Sequence, residues 1–173
     1  MVDTLYSVGR LHKGMTSQHL KANFPDFQRY FTYFIKDMMK ESKERIKELQ
    51  PIQVAYLSKA LTNLRKVFDD KNSETELMLR EAIKDHAIAF KDQYDPYSIS
   101  KVLRYLFNQN DGTSKSIEVF QALGQRFLFN LQEREQVMKE MPFDDPLIDV
   151  DVKDIVDMVR VYSLFSKPMG QDD

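Results

Sequence analysis

The chain lacks several features that define whole classes of protein. Its 173 residues include no cysteine, which excludes disulfides, thiolate metal sites and a cysteine nucleophile. No apolar run approaches the roughly 20 residues that a membrane-spanning helix needs. The first residues also lack the apolar core of a secretory signal. These absences predict an intracellular protein without a membrane span.

Glycine and proline are scarce, with five and six residues respectively. Sheet proteins need many turn residues, so this scarcity favours long helices joined by few turns. The composition is 42 % hydrophobic and 30 % charged, which is typical of a globular domain. A chain of this length can form one domain with its own core.

Positive charge is also limited. The net charge is −2, with 15 basic and 12 acidic residues in 1–86 but 10 basic and 15 acidic residues in 87–173. A nucleic-acid-binding protein usually carries a basic stripe, and here only the N-terminal part is mildly basic. Residues 4–25 contain bases and no acid, like an organellar transit segment. Because Asp3 precedes them, they are better explained as the first repeat helix.

One type of helix start recurs along the chain. Helices open at Pro51, at Asp95-Pro96 and at Asp151, and Val2-Asp3 begins a similar fourth unit. Each start precedes apolar residues at helical spacing. The stripes are Val54, Leu57, Leu61 and Leu64; Ile99, Val102, Leu103 and Leu106; and Ile155, Val156, Val159 and Tyr162. Spaced units of this kind predict a stack of helix pairs.

The predicted fold is therefore all-α, a short α-solenoid of about seven helices in stacked antiparallel pairs. Residues 1–169 form one helical-repeat domain and residues 170–173 a frayed tail. The expected helices cover 2–13, 17–49, 51–68, 73–93, 96–108, 113–133 or beyond, and 152–166. The last helix has no second helix to pair with, which predicts an exposed end where another chain could bind.

Two of the longer helices carry further signals. Phe24, Phe27, Phe31, Phe34 and Met38 recur at three- and four-residue steps, which predicts a core-facing stripe on the second helix. On the sixth helix the predicted stripe is Ile117, Phe120, Gly124, Phe127 and Leu131. Because glycine costs roughly 1 kcal/mol against alanine inside a helix, Gly124 is expected to permit close approach of a neighbouring helix.

The segment from Pro51 to Leu64 has the pattern Pro-x-x-Val-x-x-Leu-x-x-Ala-Leu-x-x-Leu. This pattern resembles the first helix of octotricopeptide-type repeats and of the helical repeats in FAST-kinase-domain proteins. Ser98 to Leu103 resembles the same element. The resemblance implies an organellar helical-repeat protein, with the mitochondrial matrix as its expected location, and many members of these families bind RNA. The basic concave face and the nuclease-like domain of those families are not evident here.

Two groups of residues are candidate binding surfaces. The first group interleaves basic side chains with aromatic rings, which can stack on nucleobases. Its members are Arg29, Tyr30, Tyr33 and Lys36, with Arg65 as a further candidate contact. The alternative is that one face of this helix packs in the core, with Tyr30 or Tyr33 at its rim or buried by a protein partner. Asp144, Asp145, Asp149 and Asp151 form an acidic cluster. Helix caps with a solvated surface, a cation site or a docking patch for a basic partner are the three interpretations.

No sequence pattern indicates catalysis. The three histidines, His12, His19 and His86, do not form a metal-ligand motif, and glycine-rich phosphate loops and nucleophile elbows are missing. We therefore expect no enzyme, no cofactor, no metal and no small-molecule substrate. The predicted function is a non-enzymatic interaction or scaffold subunit of a larger intracellular assembly. The alternative is an RNA-binding helical-repeat protein of organellar RNA metabolism.

Overall fold

Seven α-helices make up most of the described chain. The structure is a computed structural model that describes residues 2–14, 25–64, 74–109, 113–140 and 151–165. Across these ranges it contains no β-strand, so the predicted all-α class is confirmed. The helices are α1 (Val2–Gly14), α2 (Pro25–Glu44), α3 (Pro51–Leu64), α4 (Glu74–Ala89), α5 (Pro96–Asn108), α6 (Ser114–Glu140) and α7 (Val152–Phe165).

The helices form two layers. The odd-numbered helices lie side by side in chain order, α1 on α3, α3 on α5 and α5 on α7. The even-numbered helices form the second layer, α2 on α4 and α4 on α6. Each helix packs most extensively on a neighbouring helix of its own layer, as in a stack of antiparallel helix pairs. The predicted short solenoid-like arrangement is therefore confirmed.

The first layer forms where the local sequence predicts it. Asp95 caps α5, since its Oδ1 accepts a hydrogen bond from the Ser98 backbone N–H at 2.7 Å, and Pro96 fits the first helical turn. The predicted stripes of α3 and α5 are buried in full. Their members are Val54, Leu57, Leu61 and Leu64, and Ile99, Val102, Leu103 and Leu106. Local capping and apolar spacing are enough to place both helices.

A glycine sets the close packing of α1 on α3. A Cβ added at Gly9 would lie 3.2 Å from both the Cα and the carbonyl oxygen of Ala60. These are backbone atoms, so they cannot rotate away as a side chain could. Two small residues therefore let these neighbouring helices approach closely.

Buried polar groups hold α4 against its surroundings. His86 is buried, with Nδ1 2.9 Å from the Tyr94 hydroxyl and Nε2 2.9 Å from the Leu49 carbonyl oxygen. Lys84 is also buried and donates to Glu81 at 2.7 Å and Thr113 at 3.3 Å. These contacts satisfy groups that would be costly to bury alone.

The predicted stripes of α2 and α6 are partly wrong. Phe34 is 45 % exposed, whereas Ile35 and Met39 are buried, so the core-facing stripe of α2 is rotated by one residue. The side chains of Phe24 and Phe27 lie outside the described residues, and Phe31 and Met38 are partly buried against the core. On α6, Phe120 and Phe127 of the predicted stripe are buried and Leu131 is partly buried, whereas Ile117 is exposed. Aromatic and aliphatic residues occur around most of α2, so periodicity alone did not fully identify the buried side of that helix.

Several boundaries also differ. The second helix was expected to reach residue 49, but α2 ends at Glu44 and a 3-10 turn follows at Ile46–Glu48. A second 3-10 turn, Lys91–Gln93, follows α4. The sixth helix, predicted over 113–133 or beyond, extends to Glu140, which agrees with that prediction. The chain between α1 and α2, the segment 65–73 and the tail 170–173 lie outside the described residues.

Candidate interaction surface

The outer side of α7 is an exposed apolar stripe. Val152, Val156 and Val159 are 73 %, 58 % and 64 % exposed, and Ile155 is 36 % exposed. These positions follow the i, i+3, i+4, i+7 pattern that normally faces a core. The sequence predicted Ile155, Val156, Val159 and Tyr162 as the apolar face of a repeat helix. Tyr162 is partly buried, but the other three residues are exposed. The predicted exposed end is therefore present, and it is apolar.

The inner side of α7 meets α5 through charges. Asp154 is buried and accepts hydrogen bonds from Ser100 Oγ at 2.6 Å and from Lys101 Nζ at 2.7 Å. Asp157 accepts two hydrogen bonds from Arg104, at 3.1 and 3.2 Å, and lies 3.6 Å from Lys101 Nζ. We call this contact the charged seam. The charged seam explains why the apolar stripe of α7 faces outward. Asp154 and Asp157 face the basic residues of α5, so the valines on the other side of α7 face away from it.

Apolar contacts close the seam toward α6. Met158 and Val161 are buried, and Tyr162 is partly buried against Phe120 in an edge-on ring pair with centroids 6.3 Å apart. The Tyr162 hydroxyl donates to the Phe120 carbonyl oxygen, and burial raises the pKa of Tyr162 to about 12. A Cβ at Gly124 would lie 2.8 Å from the ring carbon Cζ of Tyr162. The close approach expected at Gly124 is therefore that of a side chain from α7.

The opposite end of the first layer has a different chemistry. Among the described side chains of α1, those of residues 2–10, the exposed ones are all polar: Asp3, Thr4, Ser7 and Arg10. Its buried side is formed by Val2, Leu5 and Gly9. Terminal helices of repeat stacks normally present a polar outer face to water. The described side chains of α1 follow this rule and those of α7 do not.

A row of aromatic rings and lysines crosses the first layer. Tyr6 and Tyr56 have ring centroids 5.0 Å apart, and Tyr56 and Tyr97 follow at 6.4 Å. Lys59 donates to the Tyr6 hydroxyl at 3.1 Å, and Lys101 lies 4.8 Å from the centre of the Tyr97 ring. Burial lowers the pKa of Lys59, but the hydrogen bond to Tyr6 and the nearby tyrosine oxygens outweigh it and raise the pKa. The sequence did not reveal this row, because its members are spread over three helices.

A cleft lies where α3, α5 and α7 begin, beside α6. Its volume is about 550 Å³. Its carboxylates already have partners: Asp95 caps α5, Asp151 accepts from the Lys153 backbone N–H at 3.0 Å, and Asp154 belongs to the charged seam. The buried Asn130 donates to the Tyr94 carbonyl oxygen at 3.1 Å, while its Oδ1 has no hydrogen-bond partner among the described residues. The lining residues are Ile52, Tyr56, Gln93, Tyr94, Asp95, Pro96, Tyr97, Arg126, Asn130, Asp151 and Asp154.

The structure brings together only part of the predicted partner or RNA surface. On α2, Tyr30 is 71 % and Tyr33 55 % exposed, and Lys36 is exposed as well. Both tyrosines are thus accessible. The side chain of Arg29, and Arg65 as a whole, lie outside the described residues.

The predicted acidic patch is described at one position only. Asp144, Asp145 and Asp149 lie outside the described residues. Asp151 is exposed and caps the first turn of α7. Helix capping, one of the three interpretations of this cluster, therefore applies to Asp151.

Histidine and metal chemistry find no support in the described parts. His86 has both ring nitrogens engaged, and burial lowers its pKa despite the hydrogen bond to the Leu49 carbonyl. The side chains of His12 and His19 lie outside the described residues. Among the described side chains, no group of three or more metal-ligating residues comes together. Within the same ranges, no helix combines the length and apolar character needed to cross a bilayer.

Comparison with protein families, with curated proteins and with solved structures found no match to this chain.

Proposed function

We propose that this chain is a non-enzymatic interaction subunit, a scaffold within a larger intracellular assembly, and that it binds a protein partner on the outer face of α7. The observation that carries the proposal is the exposed stripe of Val152, Ile155, Val156 and Val159. The resemblance of the Pro51 to Leu64 segment to organellar repeats extends the proposal to a mitochondrial assembly.

The chemistry of the two layer ends supports a partner at α7. Scattered exposed apolar residues are common, but a contiguous stripe along a helix is typical of an interface. The stripe offers what a helix of the first layer normally buries, namely residues at i, i+3, i+4 and i+7. At the other end of the layer, the described side chains of α1 (residues 2–10) form no comparable apolar stripe.

The experiment compares two variants of the full chain as affinity baits in native extract. Val156→Lys/Val159→Lys adds charge to the stripe, and Thr4→Lys/Ser7→Lys adds the same charge to the outer face of α1. We expect quantitative mass spectrometry to show specific partners that the α7 variant loses and the α1 variant retains. Identical partner sets for both variants and the unmodified chain would refute binding at α7.

RNA binding is the second candidate function. It is favoured by the exposed Tyr33, Lys36 and Lys40, which lie three and four residues apart along one side of α2. Aromatic rings beside basic side chains can bind single-stranded RNA, because the rings stack on nucleobases and the positive charges attract the phosphates. We expect fluorescence anisotropy to report salt-dependent binding that is lost when Arg29, Lys36 and Arg65 become alanine. Absence of binding to single-stranded RNA at low salt removes this candidate.

A further inference from the structure

The apolar stripe of α7 has a basic edge. Lys153 and Arg160 are both exposed and lie seven residues apart, so they are two turns, or about 10 Å, apart on one side of the helix. Among the described residues, neither side chain has an ion-pair partner. Val156 lies between them along the same side. The opposite edge of the stripe is formed by Ile155 and, further along, by Tyr162 against α6.

We propose that the partner of this face is an amphipathic helix from a different protein, with an apolar stripe and acidic residues along the edge that meets Lys153 and Arg160. This inference rests on the proposed function and specifies the chemistry of the partner. The occupant would lie on α7 as α7 lies on α5, and so extend the first layer by one helix.

The charged seam shows how such recognition is achieved within the chain itself. There, Asp154 and Asp157 of α7 are one turn apart and meet Lys101 and Arg104, which are one turn apart on α5. Apolar contacts of Met158 and Val161 complete that contact. The outer face has the same two components with the charge reversed. A partner helix with acids on one edge is therefore complementary to it.

Charge also argues against a second copy of this chain. An antiparallel pair of α7 helices related by a two-fold axis would place Lys153 of each copy beside Arg160 of the other. Like charges across an interface disfavour that pairing. Head-to-tail stacking would place the valines against Asp3, Thr4, Ser7 and Arg10 of the second copy, which would desolvate polar groups.

The test uses the full chain and two synthetic, hydrocarbon-stapled helical peptides. Both carry leucines at i, i+3, i+4 and i+7, and they differ only in one edge, which is glutamate in one and lysine in the other. Fluorescence anisotropy should show the glutamate peptide binding about tenfold more tightly at low salt, because two exposed ion pairs replace two repulsions. The difference should shrink at high salt.

Two charge and stripe variants make the result specific. Lys153→Glu/Arg160→Glu should reverse the preference, so that the lysine peptide binds more tightly. Val156→Lys/Val159→Lys should abolish binding of both peptides. If Lys153→Glu/Arg160→Glu still binds the glutamate peptide more tightly, the acidic-edge inference is overturned. The proposed function stands in that case if Val156→Lys/Val159→Lys still loses binding of both peptides. Failure of both peptides to bind overturns the inference as well.

Other occupants of the face give distinct results. A light-scattering mass of twice the chain, restored to one chain by Val156→Lys/Val159→Lys, would show that a second copy covers the stripe. A lower melting temperature of that variant alone would show that the chain covers its own stripe. Either result overturns the inference. We expect a monomer whose melting temperature is unchanged by the substitutions.

Discussion

Replacing Gly124 by alanine should change stability in opposite directions depending on residue 162. In the unmodified chain the new Cβ would lie 2.8 Å from Tyr162 Cζ, which is too close for any real contact. The ring belongs to a side chain and can rotate away, but it then leaves Phe120. In a Tyr162→Leu background the shorter side chain ends before this position, and the overlap is gone.

The magnitudes follow from the contacts of the ring. Alanine in place of glycine inside a helix stabilises by about 1 kcal/mol. Displacing Tyr162 removes its hydrogen bond to the Phe120 carbonyl, worth about 1 kcal/mol, and the edge-on ring pair, worth about another 1 kcal/mol. Loss of the apolar area that the ring buries adds about 1 kcal/mol. Gly124→Ala should therefore destabilise the unmodified chain by about 2 kcal/mol and stabilise the Tyr162→Leu chain by about 1 kcal/mol.

The assay is urea unfolding followed by circular dichroism on the four proteins of this double-mutant cycle. The expected coupling energy between the two positions is about 3 kcal/mol. A shift of 1 kcal/mol changes the melting temperature of a chain of this size by about 2–4 °C, so thermal unfolding is an independent check. If Gly124→Ala stabilises both backgrounds equally, Tyr162 does not pack on Gly124 and the described contact between α6 and α7 is wrong.

Three further outcomes test other contacts. Asp154→Asn should lower the free energy of unfolding by about 3 kcal/mol in urea titrations, because it breaks a buried ion pair in the charged seam; a change below about 0.5 kcal/mol would contradict the seam. Asp95→Ala should cost about 1 kcal/mol in the same titrations while Asp95→Ser costs little, since serine can also cap α5; equal losses would argue against capping. The pKa of His86 is lowered in the folded chain, so the unfolded chain binds more protons below about pH 6.5. As the pH is lowered below this value, the free energy of unfolding should decrease by up to about 1.4 kcal/mol per pH unit. His86→Gln should reduce that slope, and a pH series with the same slope in both proteins would exclude this role for His86.

The helices that local sequence determines were the ones that could be predicted. The start of α5 needs only Asp95, Pro96 and Ser98, and its buried stripe needs only spacing within thirteen residues. The stripe of α3 was found in the same way. Capping and periodicity act over one or two turns, so a single sequence carries them fully.

The orientation of α7 could not be predicted in this way. Its valines form a regular stripe, and the usual interpretation places such a stripe inward. The side that faces α5 is instead set by Asp154 and Asp157, whose partners Lys101 and Arg104 lie 53 residues away in sequence. A pattern within one helix contains no information about that pairing. The sequence did predict that α7 leaves an exposed end, but for the same reason it did not show that the apolar stripe forms the exposed face.

The row of Tyr6, Tyr56, Lys59, Tyr97 and Lys101 shows the same limit. Each residue alone is an unremarkable aromatic or basic position on its helix. Their contacts arise only when α1, α3 and α5 lie side by side. The surface of α2 was easier to anticipate, because Tyr30, Tyr33 and Lys36 are close in sequence and on one helix.

The charged seam also bears on the order in which the chain opens. Helices α3 and α5 are held together by buried apolar stripes, which would become exposed to water if the helices separated. Helix α7 instead presents two carboxylates to α5, and its valines are already exposed to water. Separating α7 from α5 therefore exposes less new apolar surface than separating α5 from α3, and it returns Asp154 and Lys101 to hydration. Helix α7 is thus expected to be the first cooperative unit to detach, with the lowest protection from hydrogen exchange in the first layer. A partner that covers the outer face of α7 would add the apolar contact that this helix lacks. Its binding would therefore raise the protection of α7 from hydrogen exchange and stabilise the contact between α5 and α7.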